Sequence, residues 1–256
     1  MLYLIGLGLD IKDVSVKGLE LIKSADRILL EKYTTPLSEE YLSWLRSQTT
    51  NAIELIERPA LEERAKETIK YAQKQDLAVL VPGDPLIATT HHILFDIARA
   101  NGIKAEVVHS SSIFSAAIGE SGLDVYRFGP PTTIARWSAK YRPVSFLDVI
   151  RMNISSNQHS LILLDIDPDT KAPMALEDAL RLLSLAEDER HYGIIKGQLP
   201  ILILGNVGKA DKLLAYTNFG SARGLADKFT GKTLTLIIPC NPNFAENEGL
   251  SHFAIA

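Results

Sequence analysis

Short runs rich in Val, Ile and Leu alternate along this chain with amphipathic stretches of helical length. The alternation is typical of parallel strands joined by crossover helices, so it predicts an α/β protein. In the first half, the predicted strands are Leu2–Leu7, Arg27–Leu30, Leu77–Val81 and Ala105–Val108. The predicted helices of this half are Val16–Ser24, Glu39–Arg46, Glu62–Gln75 and Thr89–Asn101.

The pattern loosens between Gly119 and Pro143, which predicts a connection followed by a surface loop, and then returns. The strands predicted beyond it are Ser160–Asp165, Leu199–Leu204 and Thr233–Ile238, with helices at Phe146–Ser155 and Met174–Leu185. A chain of 256 residues is long for one domain. We therefore expect two α/β lobes, residues 1–112 and 113–256.

Composition limits the classes of function that this chain can have. The formal net charge of −4 argues against a general nucleic-acid binder, because phosphate backbones are bound by clustered Lys and Arg. A single cysteine makes neither an internal disulfide nor a Cys-based zinc site. The apolar start is interrupted by Asp10 and Lys12, so we expect a buried strand there and not a signal peptide. No later apolar run is long enough to span a bilayer. These features predict a cytosolic protein.

Two glycines, Gly6 and Gly8, stand at the end of the first predicted strand, where missing side chains let a ligand approach the backbone. A dinucleotide-binding fingerprint would need a third glycine near Ile11, so a plain tight turn explains the pair equally well. Glu31, at the end of the second strand, is placed like the ribose-binding acid of such folds. A solvated strand-end carboxylate is the more common case, and we expect it here.

A stiff turn follows the third predicted strand, in the segment Val81–Pro85. Two prolines flank Gly83 and Asp84, which restricts the backbone at the strand edge where α/β sheets bind ligands. Asp84 can face a ligand cation or accept hydrogen bonds from the amides of its own turn. From the residues alone, the second use is favoured.

Small hydroxyl residues follow the strand that ends at Val108, in the run Ser110–Ser112. They can cap a helix or donate hydrogen bonds to a ligand carboxylate. No glycines flank Ser112 in the manner of a nucleophile elbow, so a serine nucleophile is not predicted. The six histidines form no metal-type spacing, and no phosphate-binding loop is present, so we expect neither a metal site nor phosphoryl transfer. The sequence identifies no catalytic acid or base.

Four segments together resemble the diphthine synthases, which belong to the tetrapyrrole-methylase-like superfamily. They are Leu4–Leu9, Pro82–His91, Ser112–Ala116 and Gly122–Gly129. The resemblance extends from the first residue to about Asn247 with the spacings kept. It implies a class III methyltransferase fold of two α/β lobes, a homodimer, and S-adenosylmethionine as cofactor in the cleft between the lobes.

The reaction that the resemblance implies is methylation of the amino group of a 3-amino-3-carboxypropyl histidine on translation elongation factor 2, up to three times, to give diphthine. The cofactor contacts that it implies lie in both lobes. They are Leu9, Asp84, Ile87, Ser112 and Ile113 in the first lobe, and Leu164, Gly205 and Asn243 in the second.

Some residues depart from the pattern of these relatives. Asn243 takes the place of a histidine, and Ser111 stands where proline is common. Methylation of a small tetrapyrrole precursor remains an alternative, and so does a nucleotide-binding regulatory module without catalysis. The loop Pro131–Pro143 carries basic and aromatic residues that suit either an interface with the elongation factor or a solvated connection.

Overall fold

The computed structural model describes residues 1–167 and 169–255, and the chain divides into two compact units, Met1–Ile113 and Phe114–Ala256. Each unit contains one five-stranded sheet with helices. The predicted α/β class is confirmed. No helix in the described ranges has the length and apolar character needed to cross a membrane.

The sheet of the first unit is entirely parallel, with the strand order β3-β2-β4-β1-β5. Its strands are β1 (Leu2–Gly6), β2 (Arg27–Glu31), β3 (Ile53–Ile56), β4 (Leu77–Val81) and β5 (Ala105–Val108). The edge strand β3 was not predicted. Two of its four residues are exposed, so it lacks the continuous apolar run by which buried parallel strands are recognised.

Helices cover both faces of this sheet and enclose two apolar cores. They are α1 (Val16–Ser24), α2 (Glu39–Ser47), α3 (Arg58–Leu61), α4 (Ala65–Ile69) and α5 (His92–Ala100). The Ser15 and Ser38 hydroxyls accept hydrogen bonds from backbone N–H groups in the first turns of α1 and α2, which explains where these helices begin.

The prediction of one helix over Glu62–Gln75 is wrong. Pro59 starts α3 earlier, and α4 is a separate helix that continues as a 3₁₀ segment, Lys70–Gln73. Between α3 and α4, the Arg64 N–H donates to the Pro59 carbonyl at 2.8 Å, and the Thr68 hydroxyl donates to the Ala60 carbonyl at 2.6 Å. The carbonyl of Ala60 is therefore bound by a side chain, and the regular i to i−4 ladder is interrupted here.

The sheet of the second unit has the order β6-β7-β10-β8-β9 and is mostly antiparallel. Its strands are β6 (Thr132–Ile134), β7 (Ser160–Leu164), β8 (Pro200–Gly205), β9 (Leu213–Asn218) and β10 (Leu234–Ile238). The prediction of parallel strands is wrong for this unit. Only β6 and β7 pair in parallel, and the helix α7 (Ser145–Ser155) lies between them in sequence as the crossover that parallel pairing needs. The short connection between β8 and β9 permits only an antiparallel hairpin.

Beside α7, the helices of the second unit are α6 (Ile113–Glu120, which starts at the unit boundary), α8 (Leu176–Arg190), α9 (Phe219–Ala222) and α10 (Phe244–Ser251). One apolar core lies between the sheet and α7 and α8. The predicted loop Pro131–Pro143 contains strand β6, which was missed because its three residues are too few to show alternation.

A buried charged cluster anchors α10. The Glu246 side chain is 3% exposed; its Oε1 lies 2.9 Å from His159 Nε2, and Arg127 forms an ion pair with its Oε2. The backbone N–H of Cys240 donates to His159 Nδ1 at 2.9 Å, so the imidazole proton is on Nε2 and is donated to Glu246. Burial raises the pKa of Glu246, but the hydrogen bonds from Asn243, His159 and Asp124 outweigh burial and lower it to about 2.

Candidate functional site

The turns after β1 and β4 are joined through their backbones at the carboxyl edge of the first sheet. Gly8 donates to the carbonyl of Gly83 at 3.1 Å, and Gly83 donates back to Gly8 at 2.9 Å. Gly6 completes the contact, since a Cβ there would lie 2.8 Å from both the Gly83 carbonyl oxygen and the Ser110 Cβ. The glycines therefore let three turns meet, and their role is more specific than a plain tight turn.

Gly83 leaves open space above the second turn. Its φ is +75°, and a Cβ built on it would find no atom within 4 Å. Gly8, with φ +74°, is the opposite case, because a Cβ there would lie 2.2 Å from the Asp13 Cβ. Both positions favour glycine by conformation, but only Gly83 borders room for a ligand.

Asp84 links its own turn to the loop after β5. Oδ1 accepts the N–H of Leu86 at 3.0 Å, as the turn-stabilising interpretation predicted. Oδ2 accepts from His109 Nδ1 at 2.8 Å and from the Ser110 N–H at 3.3 Å. Asp84 is 7% exposed and its carboxylate is held from two sides, so it is a fixed negative group at this edge.

Asp13, which the sequence analysis did not single out, organises the first turn. Its Oδ2 accepts the N–H of Leu9 at 3.1 Å, the N–H of Asp10 at 3.2 Å and the hydroxyl of Ser111 at 2.9 Å. The Ser110 hydroxyl donates to the Asp13 carbonyl at 2.9 Å. The sequence carried no local signal for this role, because the Asp13 carboxylate accepts from amides three and four residues before it, whereas an Asx turn accepts from the amide two residues further on.

The other first-unit residues named from the resemblance follow the same turns. Ile87 is 44% exposed and lies directly beyond the Asp84 turn. Ser112 is buried and stands before α6, which Ile113 begins. The structure thus groups Leu9, Asp84 and Ser112 on adjoining turns of the first unit.

The second-unit residues do not all share one place. Leu164 ends β7 and Gly205 ends β8; both strands run antiparallel to β10, so these two residues lie at the same edge of the sheet. Asn243 follows β10 and lies beside Glu246 and His159, at the opposite edge. Its side chain caps α10 by accepting the Glu246 N–H at 3.0 Å. The structure therefore does not bring Asn243 to the edge of Leu164 and Gly205.

Glu31 corrects an expectation, because it is not a solvated carboxylate. Its exposed fraction is 0%, its Oε1 accepts the Thr34 hydroxyl, and its Oε2 has no hydrogen-bond partner among the described residues. Burial raises its pKa to about 7, although the Thr34 hydrogen bond acts in the other direction. Strand alternation in the sequence could have predicted that Glu31 is buried. Residues 29 and 31 lie on the same face of β2, and that face is covered at Leu29.

Tyr33 and His91 connect the end of β2 with the turn after β4. The Tyr33 hydroxyl and His91 Nε2 lie 2.9 Å apart in a buried contact. Burial lowers the pKa of His91, and the backbone of Pro85 and the charge of Glu62 oppose that change. No group of three or more His, Cys, Asp or Glu side chains in the described ranges is arranged to hold a metal ion.

Comparison with known proteins identifies the family. Residues 1–218 match the family model described as Tetrapyrrole (Corrin/Porphyrin) Methylases. Over 255 residues, which are 99% of this chain and 96% of the relative, the chain is 35% identical to the diphthine synthase of Methanothermobacter thermautotrophicus. The chain belongs to the tetrapyrrole methylase family, in its diphthine synthase branch. The resemblance stated from the sequence is confirmed, and this member of the family is a methyltransferase.

Two further relatives support this assignment. The chain is 36% identical to the mouse (Mus musculus) diphthine methyl ester synthase, over 91% of this chain and 78% of the relative. A crystal structure of a diphthine synthase superposes with a TM-score of 0.87 at 30% identity, covering 99% of this chain and 95% of that one. The tetrapyrrole-methylase fold inferred from the four segments is thus confirmed for the whole length.

Proposed function

We propose that this methyltransferase transfers methyl groups from S-adenosylmethionine to the amino group of a 3-amino-3-carboxypropyl histidine on translation elongation factor 2. Repetition of the transfer up to the trimethyl stage gives diphthine. Two relatives at 35% and 36% identity support the reaction, because one is named a diphthine synthase and the other a diphthine methyl ester synthase. The cofactor and the protein substrate are the parts that this proposal adds.

One observation carries the cofactor assignment: three turns with unlike chemistry meet at one edge of the first sheet. The fixed carboxylate of Asp84 suits the cationic part of the cofactor, and the exposed Ile87 suits the apolar face of its adenine. The open space at Gly83 gives the room that a ligand needs. These residues fit S-adenosylmethionine, which when bound supplies a methyl group activated by its positively charged sulfur.

We place Leu9, Asp84, Ile87, Ser112 and Ile113 at this cofactor site. Their task is to hold the donor in one orientation, since proximity and alignment provide most of the acceleration in a reaction that needs no metal. Leu164 and Gly205 share an edge of the second sheet and are proposed as further contacts. Asn243 remains a prediction from the resemblance alone, because its side-chain oxygen is used by the α10 cap.

The substrate nitrogen must lose a proton before each methylation, because only the free amine has a lone pair. Apolar surroundings suit a transfer in which charge is spread between two atoms, so the chain's contribution is a site that excludes water. We also propose that the enzyme is cytoplasmic, where translation factors work, and that it forms a homodimer, as the resemblance implies.

The test is methyl transfer with a labelled donor. S-adenosylmethionine with a labelled methyl group is incubated with elongation factor 2 carrying the unmethylated intermediate, and label on the factor is measured. Transfer is the expected result. Absence of label under conditions in which calorimetry detects donor binding would remove the proposal.

A second candidate product is favoured by the name of the mouse relative, a methyl ester synthase. A methyl ester is hydrolysed by mild base, whereas an N-methyl group is stable. Base treatment of the labelled factor therefore separates the two: retained label indicates methylation on nitrogen, and released label indicates the ester. Transfer to a precorrin-type compound, with none to the factor, would instead support tetrapyrrole methylation.

A further inference from the structure

Glu31 is a buried carboxylate with one oxygen unused. Its side chain is fully buried, Thr34 donates to Oε1, and Oε2 has no partner in residues 1–167 and 169–255. Buried ionisable groups are normally paired, because an unpaired carboxylate loses its hydration without compensation. Such a group in a native fold requires an explanation.

The position of Glu31 relates it to the candidate cofactor site. Leu30 pairs with Leu80 across β2 and β4, so Glu31 lies one residue further, beside Val81. The turn that carries Gly83 and Asp84 starts at the next residue. Neighbouring strands are about 5 Å apart, so the carboxylate is at the same edge of the sheet as the three turns.

The groups that face Glu31 from each neighbouring element do not neutralise it. The Thr34 hydroxyl donates one hydrogen bond, the backbone amides of Thr34 and Tyr33 also favour the ionised form, and Arg58 is the cation whose charge does the same. Arg58 is engaged elsewhere, since its Nη1 lies 4.0 Å from Glu62 Oε1 and its guanidinium lies 5.3 Å from the centre of the Tyr33 ring. The Tyr33 hydroxyl is bound to His91. The pKa of about 7 for Glu31 follows from this environment, with burial as its main cause.

The side chains of Asp84 and Tyr33 at this edge are less suited to accept a proton. Both oxygens of Asp84 are already hydrogen-bonded, to Leu86 on one side and to His109 and Ser110 on the other. His109 donates from Nδ1 to Asp84, which leaves Nε2 as an acceptor on a mostly exposed ring, so His109 is the competing base at this edge. The pKa of Tyr33 is raised by burial and by Glu31, so its hydroxyl keeps its proton at neutral pH.

We propose that Glu31 takes the proton of the substrate's ammonium group before methyl transfer. This inference rests on the proposed function. The N–H bond breaks, its electron pair stays on nitrogen as the lone pair, and the proton forms an O–H bond with Oε2. The proton then leaves to solvent, which restores the carboxylate for the next round. A carboxylate that exchanges its proton near neutral pH suits repeated deprotonation.

The test compares Glu31→Gln with Glu62→Gln, a neutralised carboxylate of the same neighbourhood that accepts from Thr90 at 2.9 Å. Single-turnover methyl transfer to elongation factor 2 is measured across pH, and donor affinity by calorimetry. For Glu31→Gln we expect unchanged donor affinity and a transfer rate about 100-fold lower near pH 7. The Glu31→Gln transfer rate should rise about tenfold per pH unit, because without the Glu31 carboxylate the free amine forms only in solution. The wild-type and Glu62→Gln rates should level off above about pH 7.

A wild-type rate and pH profile in Glu31→Gln would overturn the inference. If Glu31→Gln does not fold, as judged by circular dichroism, Glu31→Asp decides: a retained plateau with a lower rate supports the proposal, and a profile that rises with pH contradicts it. If the wild-type enzyme binds the donor but labels no factor, the proposed function itself fails. Failure of the proposed function is therefore distinguished from failure of the inference about Glu31, because it shows in the wild-type enzyme before any variant is compared.

Discussion

Asp84 and His109 are joined by a contact of 2.8 Å between Oδ2 and Nδ1, across 25 residues of sequence. The contact ties the turn after β4 to the loop after β5, and Oδ1 of the same carboxylate holds the Leu86 N–H. His109 is mostly exposed while Asp84 is almost fully buried, so the contact joins a surface imidazole to a buried carboxylate. One buried anion therefore sets the relative position of two of the three turns.

We expect Asp84→Ala to weaken S-adenosylmethionine binding by about 2 kcal/mol while the protein remains folded, because a charge-assisted contact to the cofactor is lost. Isothermal calorimetry measures the affinity, and circular dichroism the fold. Asp84→Asn is the matched control, since its amide oxygen can still accept the Leu86 N–H while its NH2 group cannot accept from His109 or Ser110; it should weaken binding and lower thermal stability less than Asp84→Ala does. Unchanged affinity in both variants would assign Asp84 to turn stabilisation alone.

Gly8→Ala should destabilise the protein far more than Gly102→Ala. Both glycines have positive φ, +74° and +66°, so both variants carry the left-handed penalty of about 1 to 2 kcal/mol. At Gly8 the new Cβ also lies 2.2 Å from the Asp13 Cβ, whereas at Gly102 it meets nothing within 4 Å. Urea denaturation should show an additional loss of about 1 to 3 kcal/mol at Gly8, the usual range for overpacking. Equal losses would mean that the turn relaxes without cost.

The first unit could be predicted largely from sequence, because a continuous run such as Leu77–Val81 is fully buried in a parallel sheet and carries its signal locally. The second sheet could not, because apolar runs do not distinguish parallel from antiparallel pairing. Among site residues, Asp84 follows from its position after a buried strand. The link from Asp13 to Ser111 spans 98 residues, and burial of Glu31 requires knowing which helices cover its face. Both depend on tertiary packing.

The buried cluster around Glu246 predicts acid sensitivity. The pKa of Glu246 falls from an ordinary 4.5 to about 2 on folding, so its contribution is present above pH 4.5 and is lost as the pH falls toward 2. Burial also lowers the pKa of His159, so the unfolded chain binds a proton more readily and stability decreases as the pH falls below about 6.5. Both effects have the same sign. We expect Glu246→Gln to lose about 3 kcal/mol at neutral pH and to show a weaker dependence on pH below 5.

The check is the free energy of unfolding at several pH values between about 3 and 8, for the wild type, Glu246→Gln and Glu189→Gln. Glu189 is exposed near the end of α8, so its variant controls for loss of one acidic charge. Parallel curves for the wild type and Glu246→Gln would contradict an ionised, hydrogen-bonded Glu246.

The loop Pro131–Pro143 offers a prediction about recognition of the elongation factor, because its basic residues are held differently. The Arg136 guanidinium donates to the Ala172 carbonyl at 3.3 Å and lies 4.0 Å from Asp167, while Arg142 and Tyr141 are exposed. Arg142 lies over the Trp137 ring, 6.0 Å from its centre, so its charge lies against the face of an aromatic ring.

If the loop binds the factor, Arg142→Ala should raise the KM for the factor severalfold and leave donor affinity unchanged. Arg136→Ala should instead lower the melting temperature, since it removes a contact within the unit. Steady-state kinetics in varied factor concentration, together with donor calorimetry, separate these outcomes; an unchanged KM in Arg142→Ala would identify the loop as a solvated connection.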